Sequence, residues 1–427
     1  MNTTQKGRIF HGKKIFLKFC RKNFLRAEIY KNFTAFCEIR QITSKELTRT
    51  PKYAKLNTQS QIFAKGAHGS VREKFIMISL KKILAMAAVF SMTVSAVSCG
   101  ANTENTSAEI DTPSAMAEEA SVSADNKPKL SNPDATEEAQ ALYEYISSVY
   151  RTKIISGQQE STWMGSDQYE FDYIYKNTGK YPAIRGLDYM NDDFEGVNKR
   201  AAEWHEKGGI VTICWHCGSD FSHSWDECMK TKIDDWDKAL TEGTAEYKAL
   251  IAGMDKAAEA LKELKEKNIP VLWRPFHEFD GGWFWWGKGG ADNFVKLWRI
   301  MYDRYTNYWE LDNLIWVLGY SGNGRGYDKW YPGDEYVDIA GADSYSDGAN
   351  EKLYTKVQDV AGKEMPICFH ECGRIPTAKQ LTDGKTDWVW FMTWHTEYIT
   401  DHNDTAVLKE IYNDEYVITL DELPKLY

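Results

Sequence analysis

From Ala135 onward the apolar positions follow two alternating periods. Short β-rich runs that end in polar and aromatic residues are separated by stretches in which apolar residues recur every three or four positions. The runs are 153–158, 181–189, 210–216, 270–278, 314–320, 336–345, 365–371 and 388–395. Between the third and fourth, 247–267 reads as an amphipathic helix, with Ile251, Met254, Ala258, Leu261 and Leu264 on one face and Lys/Glu on the other. Eight such alternations predict an α/β fold with a parallel sheet closed into a (β/α)8 TIM barrel over 134–427. A doubly wound open sheet is the alternative, but no Gly-rich dinucleotide or phosphate loop follows any run.

Upstream the pattern changes. Met77-Ile-Ser-Leu-Lys81-Lys82 precedes an apolar stretch over 83–97 and then Ser98-Cys99-Gly100, the order of a secretory signal. A Cys after small residues resembles the lipobox of bacterial lipoproteins, with Ala96 where Leu is commoner, and implies a lipid on Cys99. Residues 1–76 hold 17 Lys+Arg against 4 Asp+Glu, and the rest of the chain 35 against 58. The basic segment reads as a mis-called upstream extension, with Met77 as the true start. Residues 100–133, poor in large apolar side chains, cannot offset the cost of ordering and read as a disordered tether. The expectation is an exported, membrane-anchored monomer with an acidic body and no nucleic-acid partner.

Aromatic residues make up 14% of the chain, including 16 Trp and 24 Tyr, more than a core requires. Stacking on the apolar faces of sugar rings would explain the surplus. Trp204, Trp236, Trp298 and Trp309 lie in helical stretches at core-compatible spacing and read as packing. Cys214, Cys217, Cys228, His216 and His223 lie close together, yet Cys-x2-Cys lacks a second pair for zinc. A Cys217–Cys228 disulfide is compatible with export. Cys368 and Cys372 read as free thiols packed near the seventh run, and nothing calls for a cofactor or metal.

In such a barrel the chemistry sits at the C-terminal strand ends. These ends are polar: Arg185 and Asp188 in the second run, Trp215-His216 in the third, Arg274 and His277-Glu278 in the fourth, Asp343-Ser-Tyr345 in the sixth, His370-Glu371 in the seventh and Trp394-His395 in the eighth. Glu278 and Glu371 close strands that can face each other across one mouth, as the nucleophile and proton donor of a retaining glycosidase must. Alternation along the fourth run puts Arg274, Phe276 and Glu278 on one face. Arg274 or Arg185, with Tyr345, would then hold Glu371 ionised. After Glu278 a Gly-flexed loop carries Trp283, Trp285 and Trp286, read as sugar platforms with core packing taking one of the three.

The stretch Trp273-Arg-Pro-Phe-His-Glu278-Phe-Asp-Gly-Gly-Trp-Phe-Trp-Trp-Gly287 resembles the acid/base segment of glycoside hydrolase family 26. Ile339-Ala-Gly-Ala-Asp-Ser-Tyr345 and Cys368-Phe-His-Glu371-Cys-Gly373 are similar to its strand 6 and strand 7 segments. The resemblance implies a barrel that hydrolyses β-linked polysaccharide with retention, Glu278 acting as acid/base and Glu371 as nucleophile. His277, Trp283, Tyr345 and Trp394 would surround the −1 sugar, and Arg185, Asp188, Trp215, His216, Arg274 and Trp286 complete the expected substrate-binding set. The expected activity is that of an endo-β-1,4-mannanase acting on mannan, glucomannan or galactomannan. Two other readings stand beside it: the same mechanism on mixed-linkage β-glucan or β-1,3-xylan, and a non-catalytic surface glycan-binding lipoprotein. Two Glu at strand ends argue against the last, since binding needs only the platforms.

Overall fold

The computed structural model describes residues 127–222 and 225–426. The expected extension over 1–76, the signal with Cys99, most of the tether, and His223 lie outside the described residues. Strands β1 (Ile154–Gln159), β2 (Ile184–Asp188), β3 (Ile210–Cys214), β4 (Val271–Arg274), β5 (Leu314–Ser321), β6 (Ile339–Ser344), β7 (Ile367–Cys372) and β8 (Trp390–Thr393) pair in parallel with their neighbours in sequence. The pairing of β1 with both β2 and β8 closes the barrel. Each strand matches one of the β-rich runs. Both faces of these strands are covered, as expected of a parallel sheet ringed by helices.

Local sequence explains the helices between strands. Thr244 caps the helix Ala245–Lys265 by accepting from the Tyr247 N–H at 3.0 Å, and Leu250, Met254, Ala257, Ala258, Leu261 and Leu264 bury one stripe. Trp204 and Trp298 are buried, Trp236 stacks on Trp285, and Trp309 donates to Asp255, so all four helical tryptophans pack.

A ninth strand, β9 (Val417–Ile418), was not anticipated. Its two residues pair with Ile154 and Ile155 at the start of β1, and Thr419 bridges to Pro182 just before β2. It thereby fills the gap between β1 and β2 at the barrel floor, too short to leave a periodic signal.

The floor also receives the start of the described chain. Ser131 donates its N–H to Asp338 at 2.6 Å and Asn132 donates to Asp312 at 3.1 Å, acceptors that precede β6 and β5. Leu130 and Asn132 are buried. Residues 130–133, read as the end of the tether, are therefore anchored on the barrel, because the Ser131 backbone N–H and the Asn132 amide find acceptors there that composition does not reveal.

Candidate active site

The mouth is built from the C-terminal strand ends. Arg274, the last residue of β4, is fully buried inside the barrel. Its guanidinium donates to Asp343 Oδ2 at 2.9 Å and, through Nη2, to Glu371 Oε1. The two carboxylates hold Arg274 charged against the cost of its burial. Glu371 receives a second bond, from the Tyr345 hydroxyl to Oε2 at 2.8 Å, while His277 Nε2 lies 3.5 Å from Oε1. Burial, then the neighbouring Arg274, push the His277 imidazole well below its ordinary pKa, so a neutral ring faces Glu371. Burial and the charge of Glu371 push Asp343 upward, against the pull of Arg274. Glycine makes this crowding possible: a Cβ at Gly319 on β5 would lie 3.2 Å from Arg274 Nη1 and 3.3 Å from the His277 Cβ.

Glu371 reaches the site through an irregularity. Ala342 pairs with Phe369 and Asp343 with Glu371, so His370 is an extra residue in β7. The bulge lets two successive side chains face inward, His370 toward Thr212 and Glu371 toward Arg274.

Glu278 lies beyond β4 in a turn where both Phe276 and Glu278 take positive φ, 48° and 53°. Alternation therefore stops at Arg274. Phe276 turns aside to pack on Trp285 and Trp286, while His277 comes back into the site, correcting the expectation that Arg274, Phe276 and Glu278 share a face. The Glu278 N–H is held by the Gly319 carbonyl at 2.7 Å, and Trp283 donates Nε1–H to Glu278 Oε2 at 2.8 Å. Burial, then the charge of Glu371, raise the Glu278 carboxyl to about 8. Two identical side chains thus stand in opposite surroundings: Glu371 accepts two hydrogen bonds, one from a cation, while Glu278 accepts one from a neutral indole.

Beside them Asp188 accepts from His216 twice, through the backbone N–H at 3.0 Å and Nδ1 at 2.6 Å, and from the Met190 N–H at 2.9 Å. Burial would raise the Asp188 carboxyl, but the His216 ring and these donors outweigh it and hold the carboxyl below its ordinary value. His216 meets His277 edge to face at 4.5 Å and faces Trp394 at 6.1 Å, and its Nε2 has no partner.

Three expected ligands do not meet the cleft. Arg185 points outward from β2, bonding Glu160 at 2.6 and 2.8 Å and stacking on Phe171, because Gly186 and Asp188 take the inward positions. Trp215, the outward neighbour of His216, is buried against Phe194 and Phe221. Trp286 is fully buried, its Nε1–H given to the His277 carbonyl at 2.7 Å. Core packing takes both Trp285 and Trp286 and leaves Trp283, whose ring folds over Gly281.

Residues not singled out for the site also stand at the mouth. Asp343, one of the polar strand ends, shares the parity of Tyr345 just beyond β6, a signal that could have assigned it to the site. Trp225, at the start of the short helix Trp225–Lys230, and Trp163, in the segment after β1, are exposed beside the cleft. His395 lies beside Trp394, and its burial brings its pKa down to about 4.

All five described cysteines are free and buried, so Cys217 and Cys228 form no disulfide. Two donor groups could be considered for a metal, Asp343 with His370 and Glu371, and Asp188 with Cys214 and His216. In the first the Arg274 guanidinium already serves as the cation, and in the second the Asp188 oxygens are engaged by His216 and Met190.

The family model for glycosyl hydrolase family 26 matches residues 131–422. A mannan endo-1,4-β-mannosidase of Thermothelomyces thermophilus is 36% identical over 315 residues, covering 69% of this chain and 63% of that protein. The chain spans about half to two thirds of the length of this and two other curated mannan endo-1,4-β-mannosidases that it matches. A ruminal family 26 endo-β-1,4-mannanase superposes with a TM-score of 0.65 at 34% identity, covering 70% of this chain and 71% of that one. A β-mannanase from a symbiotic protist of the termite Reticulitermes speratus, complexed with gluco-manno-oligosaccharide, gives 0.65 at 30% identity, covering 70% and 98%.

Proposed function

The chain belongs to glycosyl hydrolase family 26, and on that premise we propose that it is a retaining endo-β-1,4-mannanase acting on mannan, glucomannan or galactomannan. The observation that carries the reading is the contrast between Glu371, held by Arg274 and Tyr345, and Glu278, pushed to about 8 at the same mouth. Glu371 attacks the anomeric carbon while Glu278 gives its proton to the departing glycosidic oxygen, so the C–O bond to the leaving sugar breaks as the bond to Glu371 forms. Esterification removes the negative charge of Glu371, and Glu278 becomes easier to ionise. It then takes a proton from water, whose oxygen displaces Glu371 and releases the sugar with its original anomeric configuration. His216, fixed by Asp188, presents its unpartnered Nε2 to a sugar hydroxyl, and Trp283 and Trp394 flank the ring. Incubating the protein with glucomannan, galactomannan, barley glucan and β-1,3-xylan and sizing the products tests the assignment. Short manno-oligosaccharides from the first two support it, and products only from the last two overturn it.

The signal pattern over 77–99 supports a second proposal, that the protein is exported and lipidated on Cys99. Palmitate labelling lost in Cys99→Ala would support it, and a soluble unlabelled protein would refute it.

A further inference from the structure

Trp163 is 48% exposed, in the segment between β1 and the helix Tyr169–Thr178. Its indole meets the His395 ring at right angles, centroids 4.8 Å apart. His395 in turn lies against Trp394, the two rings tilted by 37° with centroids 4.8 Å apart, so the exposed indole is joined by contiguous rings to the flank of the cleft.

Exposed tryptophans on loops are ordinarily mobile. Here buried groups fix both members of the pair. Glu170, fully buried on the helix after the loop, accepts from the Ser161 N–H at 3.1 Å, the Ser161 hydroxyl at 2.6 Å and the Thr396 N–H at 2.9 Å. One carboxylate therefore ties the segment bearing Trp163 to the residue after His395. Thr396 is held at φ 54° and ψ −121°, a conformation costly for a β-branched side chain, which persists only where the surroundings impose it. On the other side, Arg185 holds Glu160 and the Asp167 carbonyl. Packing does not account for this bracing, because the ring that it fixes stays half in solvent.

We propose that Trp163, braced by His395, is a distal subsite that stacks on a pyranose of the same β-linked chain that enters the cleft, with Glu170 as its positioning residue. The proposal rests on the glycanase reading above. The continuous rings from Trp394 to Trp163 identify the occupant as an extension of the substrate and not a separate ligand. Efficiency then rises with the number of sugars that reach the β8–β1 rim.

The test is kcat/KM along a ladder of manno-oligosaccharides from two to six units, for the wild type, Trp163→Ala, Trp163→Tyr and Glu170→Gln. Loss of one ring-face contact should lower the ratio of the longest to the shortest substrate roughly tenfold in Trp163→Ala. Trp163→Tyr should restore most of it, and Glu170→Gln, which removes one acceptor, should lower the same ratio with intact circular dichroism. An unchanged ratio in Trp163→Ala while the wild type cleaves the ladder overturns the subsite alone. A wild type inert on mannose chains overturns the mannan reading instead, and the ladder is then run with β-glucan and β-1,3-xylan oligosaccharides. If the wild type cleaves none of the three, both proposals fall.

Discussion

Trp283 donates its indole N–H to Oε2 of Glu278 at 2.8 Å, and yet the carboxyl it touches is displaced upward to about 8. A hydrogen bond to the charged form should lower a pKa, so burial and the nearby Glu371 outweigh it. The indole thus positions the carboxyl without ionising it. Activity that depends on protonated Glu278 should fall as pH rises through about 8, and the basic limb of kcat/KM reports it. Trapping the glycosyl-enzyme should lower the Glu278 pKa, measurable by 13C NMR of labelled Glu, and no decrease would refute the exchange of roles.

The same displacement makes a stability prediction. Folded Glu278 binds its proton more tightly than the unfolded chain, so its contribution is complete below about 4.5 and is lost as pH rises toward 8. Glu278→Gln should flatten the decline of denaturation midpoint with pH across that window. A decline identical to wild type would place the cost elsewhere.

Removing each carboxylate should give different kinetics. Glu278→Ala should slow polysaccharide hydrolysis by about 10²–10⁴-fold while sparing covalent-intermediate formation from substrates whose leaving group needs no proton. Glu371→Ala should abolish the intermediate for both. Mass spectrometry of the quenched enzyme separates the outcomes.

Both Glu serve one narrow mouth, and retention requires a separation of roughly 5–5.5 Å between them. Proton NMR of the first product should show the β-anomer. An α-anomer appearing first would mean inversion.

Asp188→Ala would leave the His216 Nδ1–H and backbone N–H without their acceptor. Each buried orphan costs on the order of 1–3 kcal/mol, so both the midpoint and kcat/KM should drop. Wild-type values for both would show that His216 needs no lock.

How much of this was readable in the sequence depends on where alternation holds. Eight strands announced themselves because buried parallel strands are β-rich and the helices between them keep their own period. Inside strands, parity places Asp188, Arg274 and Asp343 correctly, and parity applied to Arg185 would have sent it outward as well. At the ends it fails: the bulge at His370 and the left-handed turns at Phe276 and Glu278 are backbone choices driven by tertiary contacts. Glu278 and Glu371 sit at these irregular positions, so their place at the ends of polar runs, and the motif resemblance after it, named them while parity could not orient them. Trp163 and Trp225 carried neither signal. Their neighbours Trp215 and Trp286 looked equally suited to sugar, and burial alone tells them apart.

The attachment of residues 130–132 beside the starts of β5 and β6 fixes a direction as well as a boundary. Residues 130–132 thus lie at the opposite end of the barrel from the strand ends that carry Arg274 and Glu371, and the bonds that hold them do not compete for groups at the mouth.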